Sequence, residues 1–354
     1  MLLHTERITL NREHQVSMTA MLWKENSSAA NSFKRPSVLI FPGGGDDELS
    51  DREAENVAFP YLTAGFHAFV LYYSILEHRR WPNALDDYDQ AITYIRSHSE
   101  EWNLLPDKIA VIGFSAGAHH AACAATMSEN RPNAAILGYA PLEEGILSIA
   151  HPGEDFPAPV DHVDDCTPPC FLFSARDDRL VDVHNQVSFE SALIDHGISF
   201  ESHIYFQTYA YGGHGFATGS EAILEQPLCS RGKRWIQDSV EWLQDMFGLI
   251  SACGISEPAC PARVNADHED FLSINCTIEH LQKQGPEVLA SLDGLFRAIE
   301  NAGQALLHSE SDLSVLHALK SSRLSDLLMI TGQPQDVMDR LDKMLNRIPN
   351  TRLS

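Results

Sequence analysis

Basic residues are scarce in this chain. It carries 25 Lys and Arg against 49 Asp and Glu over 354 residues, a formal charge of −24. A field of that sign repels phosphate backbones and anionic headgroups, so nucleic acid, acidic membrane surfaces and polyanionic substrates are poor partners. Long apolar runs are missing too, which leaves no stretch of the roughly 20 residues that a membrane-spanning helix needs. The opening residues, Met1-Leu2-Leu3-His4-Thr5-Glu6-Arg7, lack the basic-then-apolar order of a secretory leader. Cysteine is sparse: seven, an odd number, with no C-x-x-C pair. That argues against a disulfide scaffold and for reduced thiols in a cytoplasmic protein. Cys166 and Cys170 have Pro168-Pro169 between them, and no metal site is expected there. Neither Gly-x-x-x-x-Gly-Lys nor a helix-opening Gly-x-Gly-x-x-Gly occurs, so no phosphate cradle is expected and no cofactor is required.

What is present is three short segments in a fixed order. Gly113-Phe114-Ser115-Ala116-Gly117 comes first, Asp177-Asp178 next, and Gly212-Gly213-His214-Gly215-Phe216 last. Each alone is a weak signal. Together they place an acid 63 residues after the serine and a histidine 36 residues after that acid, counted at Asp178. Ser, then Asp, then His is the chain order of α/β-hydrolase triads. The reading is that Ser115 is a nucleophile, His214 its general base and Asp178 the acid that orients the base.

The flanking residues support this. Lys108 to Phe114 is a short apolar, β-branched segment after the turn signal Pro106-Asp107, as for a buried parallel strand. The small residues from Ala116 to Ala125 form a helix readily. Strand, sharp turn and helix are the context in which a serine is held above a sheet. His119 and His120 fall on that helix, behind the serine. Pro169 to Ala175 reads as a second buried strand, and Asp177 and Asp178 follow its C-terminal end, where open α/β sheets place their sites. Both acids compete for the role. Asp178 is favoured because Asp178-Arg179-Leu180-Val181 has the Asp-x-x-Val form seen after this strand in related hydrolases. His214 follows an alternating strand, Phe200 to Tyr205, and precedes an amphipathic helix marked by Ile236, Val240, Leu243 and Phe247. A fourth segment, Pro42-Gly43-Gly44-Gly45, ends the buried run Val38 to Phe41. Glycines there let backbone N–H groups approach an oxyanion, and the expected donors are Gly43 or Gly44 together with Ala116.

Alternating strands and helices specify an α/β fold with a doubly wound, mostly parallel sheet. Residues 5–23 read as an antiparallel edge hairpin. Ser50-Asp51-Arg52-Glu53 has the form of a capping box, and Leu85, Tyr88, Ile92 and Ile95 mark another helix. The Pro- and acid-rich stretch 142–168 reads as a short lid loop at most. Residues 1–250 are expected to be the catalytic domain, 251–263 a linker and 264–354 a small all-helical extension. Its stripes are Val288, Leu292, Leu295 and Ile299, then Val337, Leu341, Met344 and Ile348.

Residues 35–250 resemble the acetyl-esterase and acetylxylan-esterase-like branch of the α/β-hydrolases, which includes feruloyl-esterase-like enzymes. The resemblance rests on Phe41-Pro42-Gly43-Gly44-Gly45, Leu49 to Glu55, Gly65 to Ser74, the Ser115 segment and Gly213-His214-Gly215-Phe216. It implies hydrolysis of short acyl esters, often acetyl groups on sugars. The chain departs from the branch in having Pro42 where lipases carry His, Ala118-His119-His120 where relatives often carry Gly-His-Leu, and a long segment beyond residue 250.

The expected activity is therefore that of a serine carboxylesterase acting on a small ester or an acetylated sugar through an acyl-enzyme. A peptidase or other acyl hydrolase of the same fold is one rival. A non-catalytic binding protein that uses the C-terminal helices is another, and those helices could equally serve a homo-oligomer contact. Phe114, Tyr72, Tyr73 and Trp81 are the expected walls of a small acyl pocket.

Overall fold

The computed structural model describes residues 2–24, 33–150, 153, 155–206, 213–217, 231–251, 254–285, 288, 292, 294, 320–330 and 332–351. The chain forms two compact units, Met1–Ala262 and Arg263–Ser354.

The first unit is an eight-stranded sheet in the order β1-β2-β4-β3-β5-β6-β7-β8. β1 (Leu2–Asn11) and β2 (Val16–Lys24) form the expected antiparallel hairpin, and β2 pairs antiparallel with β4 (His67–Tyr72). From there the sheet is parallel: β3 (Arg35–Phe41) lies between β4 and β5 (Leu104–Phe114), followed by β6 (Ala134–Gly138), β7 (Cys170–Ala175) and β8 (Phe200–Tyr205). Val38-Leu39-Ile40-Phe41 and Ile109 to Ile112 are fully buried because helices cover both faces of the sheet. The edge strand β1 instead alternates between exposed and half-buried residues.

The winding explains where a site must lie. After β3 the chain runs through α1 (Glu55–Thr63) to β4 on one side, and after β5 it runs through α3 (Ala116–Thr126) to β6 on the other. The loops leaving the adjacent ends of β3 and β5 therefore part and open a crevice, the position that open α/β sheets use for ligands.

Two apolar cores lie on the two faces. One contains Leu39, Phe41, Tyr88, Ile92 and Ile95, the last three on α2 (Asn83–Ser97). The other contains Ile40, Phe114, Phe173 and Trp235, the first residue of α6 (Trp235–Phe247). Trp235 stacks on Phe173 at 4.3 Å and 8°, and meets Phe114 edge-on at 5.5 Å.

The stretch 251–263, expected to be a linker, differs from a free connection. β9 (Ile250–Ser251) pairs with β10 (Gly254–Ile255), Ala259 N–H donates to Asp245 O at 2.7 Å, and Ser199 N–H donates to Ala262 O at 3.2 Å. Its backbone finds partners on the first unit, and the boundary falls at Ala262. The stretch 142–168 also holds more than a loop: α4 (Glu144–Ala150), α5 (His184–Asp195) beyond it, and a small core of Leu147, Phe156 and Ala158.

The second unit contains α7 (Ile278–Lys283), α8 (Leu324–Ile330) and α9 (Gln335–Leu345) among the described residues. Thr277 caps α7 by accepting from His280 N–H at 3.2 Å. Val288 and Leu292 of the first expected stripe are buried there with Leu281, Leu328 and Leu345, while Leu295 and Ile299 lie outside the described residues. In the second stripe Leu341, Met344 and Ile348 are partly buried against the same core. No helix among the described residues is long and apolar enough to cross a membrane.

Trp235 is the largest fully buried side chain. Trp235→Ala is expected to cost about 3–5 kcal/mol, the usual range for deleting a buried aromatic. Urea unfolding followed by circular dichroism measures this, and a loss under 1 kcal/mol would show that the stack with Phe173 is dispensable.

Candidate active site

Ser115 sits at the tip of the turn between β5 and α3 with φ 52° and ψ −125°, a conformation that side-chain-bearing residues rarely adopt. Its N–H donates to Gly138 O at 3.1 Å, and its carbonyl receives Ala118 and His119 N–H at 2.9 and 3.1 Å. The turn is tight because Gly117 lies against the end of β3, where a Cβ would come within 2.3 Å of Phe41 O.

Of the two acids after β7, Asp178 faces His214. Its Oδ2 accepts from His214 Nδ1 at 2.8 Å, and its Oδ1 accepts Leu180 and Val181 N–H at 2.8 and 3.0 Å. The side chain is wholly buried, so its remaining acceptor capacity is met by backbone rather than by water. On the other face of the ring, His214 Nε2 lies 2.8 Å from Ser115 Oγ. With Nδ1–H donating to the carboxylate, Nε2 accepts the serine hydroxyl. A hydroxyl on an imidazole whose far nitrogen is held by a carboxylate can give up its proton as the oxygen attacks. Gly213 makes this possible: its φ is +96°, and a Cβ there would lie 2.3 Å from Asp178 N. At Gly213 the histidine loop lies directly on the backbone of the acid loop. Gly212 lies outside the described residues.

The loop after β3 is held against Ser115 from two sides. Tyr73 Oη donates to Pro42 O at 2.7 Å, and Gly43 N–H donates to Glu53 Oε2 at 2.8 Å. The second bond corrects the sequence reading. Gly43 N–H is already committed to Glu53, which leaves Gly44 and Ala116 of the three expected donors. Glu53 is itself a revision: instead of completing a capping box at Ser50, it points inward and is buried. Its Oε1 accepts from Tyr139 Oη at 2.5 Å, and the Tyr139 ring packs edge-on against His214 at 4.6 Å. Burial raises the Glu53 pKa, and its bonds to Tyr139 and Gly43 oppose that rise. Nearby, Asp46 accepts from His120 Nε2 at 2.9 Å, with both side chains buried.

A cavity of about 430 Å³ opens over Ser115 and His214. Ile146, Leu147 and Ile149 of α4 form one wall, and Leu180 and Val181 another, with Asp46, His119 and Arg179 as polar members. None of the four expected pocket residues lines it. Phe114 is fully buried between Tyr139, Phe173 and Trp235, because it points from β5 into the core opposite the serine. Tyr72 donates to Glu55 at 2.5 Å and lies under the Arg7 guanidinium. Tyr73 braces Pro42, and Trp81 borders a separate depression with Arg80 and Asp155. The actual walls come from 142–168, where apolar spacing is too short to signal a helix, and from the residues just past Asp178. No cluster of three potential metal ligands occurs among the described residues.

Comparisons with known proteins bear on the fold and the family. The family model described as BD-FAE matches residues 27–146. The solved structure of MGS-M1, an alpha/beta hydrolase enzyme from a Medee basin deep-sea metagenome library, is 35% identical, covers 69% of this chain and 98% of its own, and has a TM-score of 0.63. This chain belongs to the α/β-hydrolase family. The acetyl ester-xyloside bifunctional hydrolase of Caldicellulosiruptor lactoaceticus is 26% identical over 68% of this chain and 95% of that one, with a TM-score of 0.57. The acetylxylan esterase of Xylanibacter ruminicola is 29% identical over 229 residues, 59% of this chain and 45% of that one. The chain spans only 36% to 45% of the length of the curated relatives it matches.

Because this α/β-hydrolase joins its acid and histidine loops at Gly213, Gly213→Ala should force them apart. The strained φ alone costs on the order of 1–3 kcal/mol. The expected outcome is a lower unfolding midpoint together with loss of the His214–Asp178 proton signal in NMR. An unchanged signal would show that the loop accommodates a Cβ.

Proposed function

We propose that the protein is a serine carboxylesterase. The observation that carries this is the hydrogen-bonded line from Ser115 Oγ through the His214 ring to Asp178 at the mouth of the cavity. In this reading Ser115 Oγ attacks the ester carbonyl while His214 Nε2 takes its proton. Asp178 stabilises the imidazolium that forms, and Gly44 and Ala116 N–H groups receive the oxyanion. The imidazolium then protonates the departing alkoxide and leaves an acyl-serine. Water, deprotonated by His214, releases the acid and restores the serine.

For substrate we propose short acyl esters, acetyl groups on a sugar in particular. Two relatives whose names carry acetyl ester or acetylxylan chemistry support this. The cavity volume falls within the range of sites that hold a sugar-sized ligand. The negative surface favours an uncharged substrate.

A fluorophosphonate probe is expected to label the wild type and not Ser115→Ala, whose kcat should fall by several orders of magnitude. Asp178→Asn should cost about 10³-fold or more in kcat, because the amide presents the wrong partner to Nδ1–H, whereas Asp177→Asn should leave kcat within a few-fold. Labelling of the Ser115→Ala protein at wild-type level would sink the mechanism. A panel of p-nitrophenyl esters and acetylated xylose oligomers tests the substrate. Acetyl preferred over hexanoyl supports the acetyl reading, and the reverse order rejects it while leaving the esterase standing.

A further inference from the structure

Glu53 is a carboxylate buried without any role in the mechanism above, yet both of its oxygens are engaged with groups that touch that mechanism. Oε2 receives the N–H of Gly43, the residue before the proposed donor Gly44, at 2.8 Å. Gly43 lies so close to the serine that a Cβ on it would come within 3.1 Å of Ser115 Cβ. Oε1 receives the hydroxyl of Tyr139 at 2.5 Å, and Tyr139 is the ring packed edge-on against His214 at 4.6 Å. Tyr139 has φ 38°, and its N–H is anchored to Phe173 O at 2.7 Å, so this contact is built from constrained backbone at the end of β6. A buried carboxyl is costly unless its oxygens are hydrogen-bonded, and both oxygens of Glu53 are spent on groups next to the reacting residues.

We propose that Glu53 is a positioning residue for ester hydrolysis: it clamps the Gly43–Gly44 loop against Ser115 and ties that loop to Tyr139, the ring packed against His214. The proposal rests on the serine-esterase reading. Burial pushes the Glu53 carboxyl up, and its bonds to Tyr139 and Gly43, with His214 and Arg52 nearby, oppose that rise. The role assigned to it is therefore one of hydrogen bonding, which does not depend on its charge.

Two conservative variants test the clamp. Glu53→Gln keeps the reach, and its amide oxygen can still accept from Gly43 N–H. Glu53→Asp is one methylene too short to hold both partners. For Glu53→Asp kcat should fall by roughly tenfold while KM stays within twofold, and Glu53→Gln should recover most of that loss. p-Nitrophenyl acetate and the fluorophosphonate probe are used on the full chain, with wild type alongside. A wild type that neither hydrolyses the ester nor takes the probe overturns the esterase reading itself. An active wild type with wild-type kcat in Glu53→Asp, or with kcat as low in Glu53→Gln as in Glu53→Asp, overturns the role of Glu53 alone.

Discussion

The first turn of α3 lies directly against the end of β3, and this close approach governs everything around the site. The contact at Gly117 leaves no space for a side chain. It draws the Ser115 turn over the sheet edge and sets the backbone of 42–45 beside it. Moved a few ångströms apart, the two loops would leave the serine on one side of the crevice and the glycine backbone on the other. Parallel winding brings the two strand ends together, and steric exclusion keeps them together.

Polar side chains then hold what the sheet brings close. Pro42 is held by Tyr73 and Gly43 by Glu53 through buried hydrogen bonds, and His214 by Asp178 through a partly buried one. Such bonds add little net stability but are costly to break, since a buried partner left alone loses its hydration as well. They act mainly on geometry. The price is a buried carboxylate at Glu53, an example of strain and desolvation concentrated where a site needs fixed backbone.

The cavity reflects a different balance. Its walls are aliphatic and come from α4 and from the loop past Asp178, whereas the aromatics nearest the site in sequence serve the core. Phe114 is the last residue of β5 and packs its ring against Trp235 and Phe173, whereas Ser115 leaves the strand in a turn with φ 52° and borders the cavity. A left-handed turn between two neighbours aims their side chains apart, so closeness to Ser115 in the chain is a poor guide to the wall of the pocket.

The sequence by itself determined the sheet, the edge hairpin, the helix stripes and the order of Ser115, Asp178 and His214. Those features repeat at periods of two or 3.6, or sit beside glycines that mark tight turns. The tertiary structure alone decided which acid meets His214, that Gly43 N–H is occupied, and which side chains line the cavity. It also turned Glu53 from an apparent helix cap into a buried anchor. Each of these depends on contacts between residues far apart in the chain, such as Glu53 with Tyr139 or Tyr73 with Pro42. Local pattern carries no record of such a pairing, because a carboxylate three residues after a serine looks the same whether it caps its own turn or reaches across the sheet.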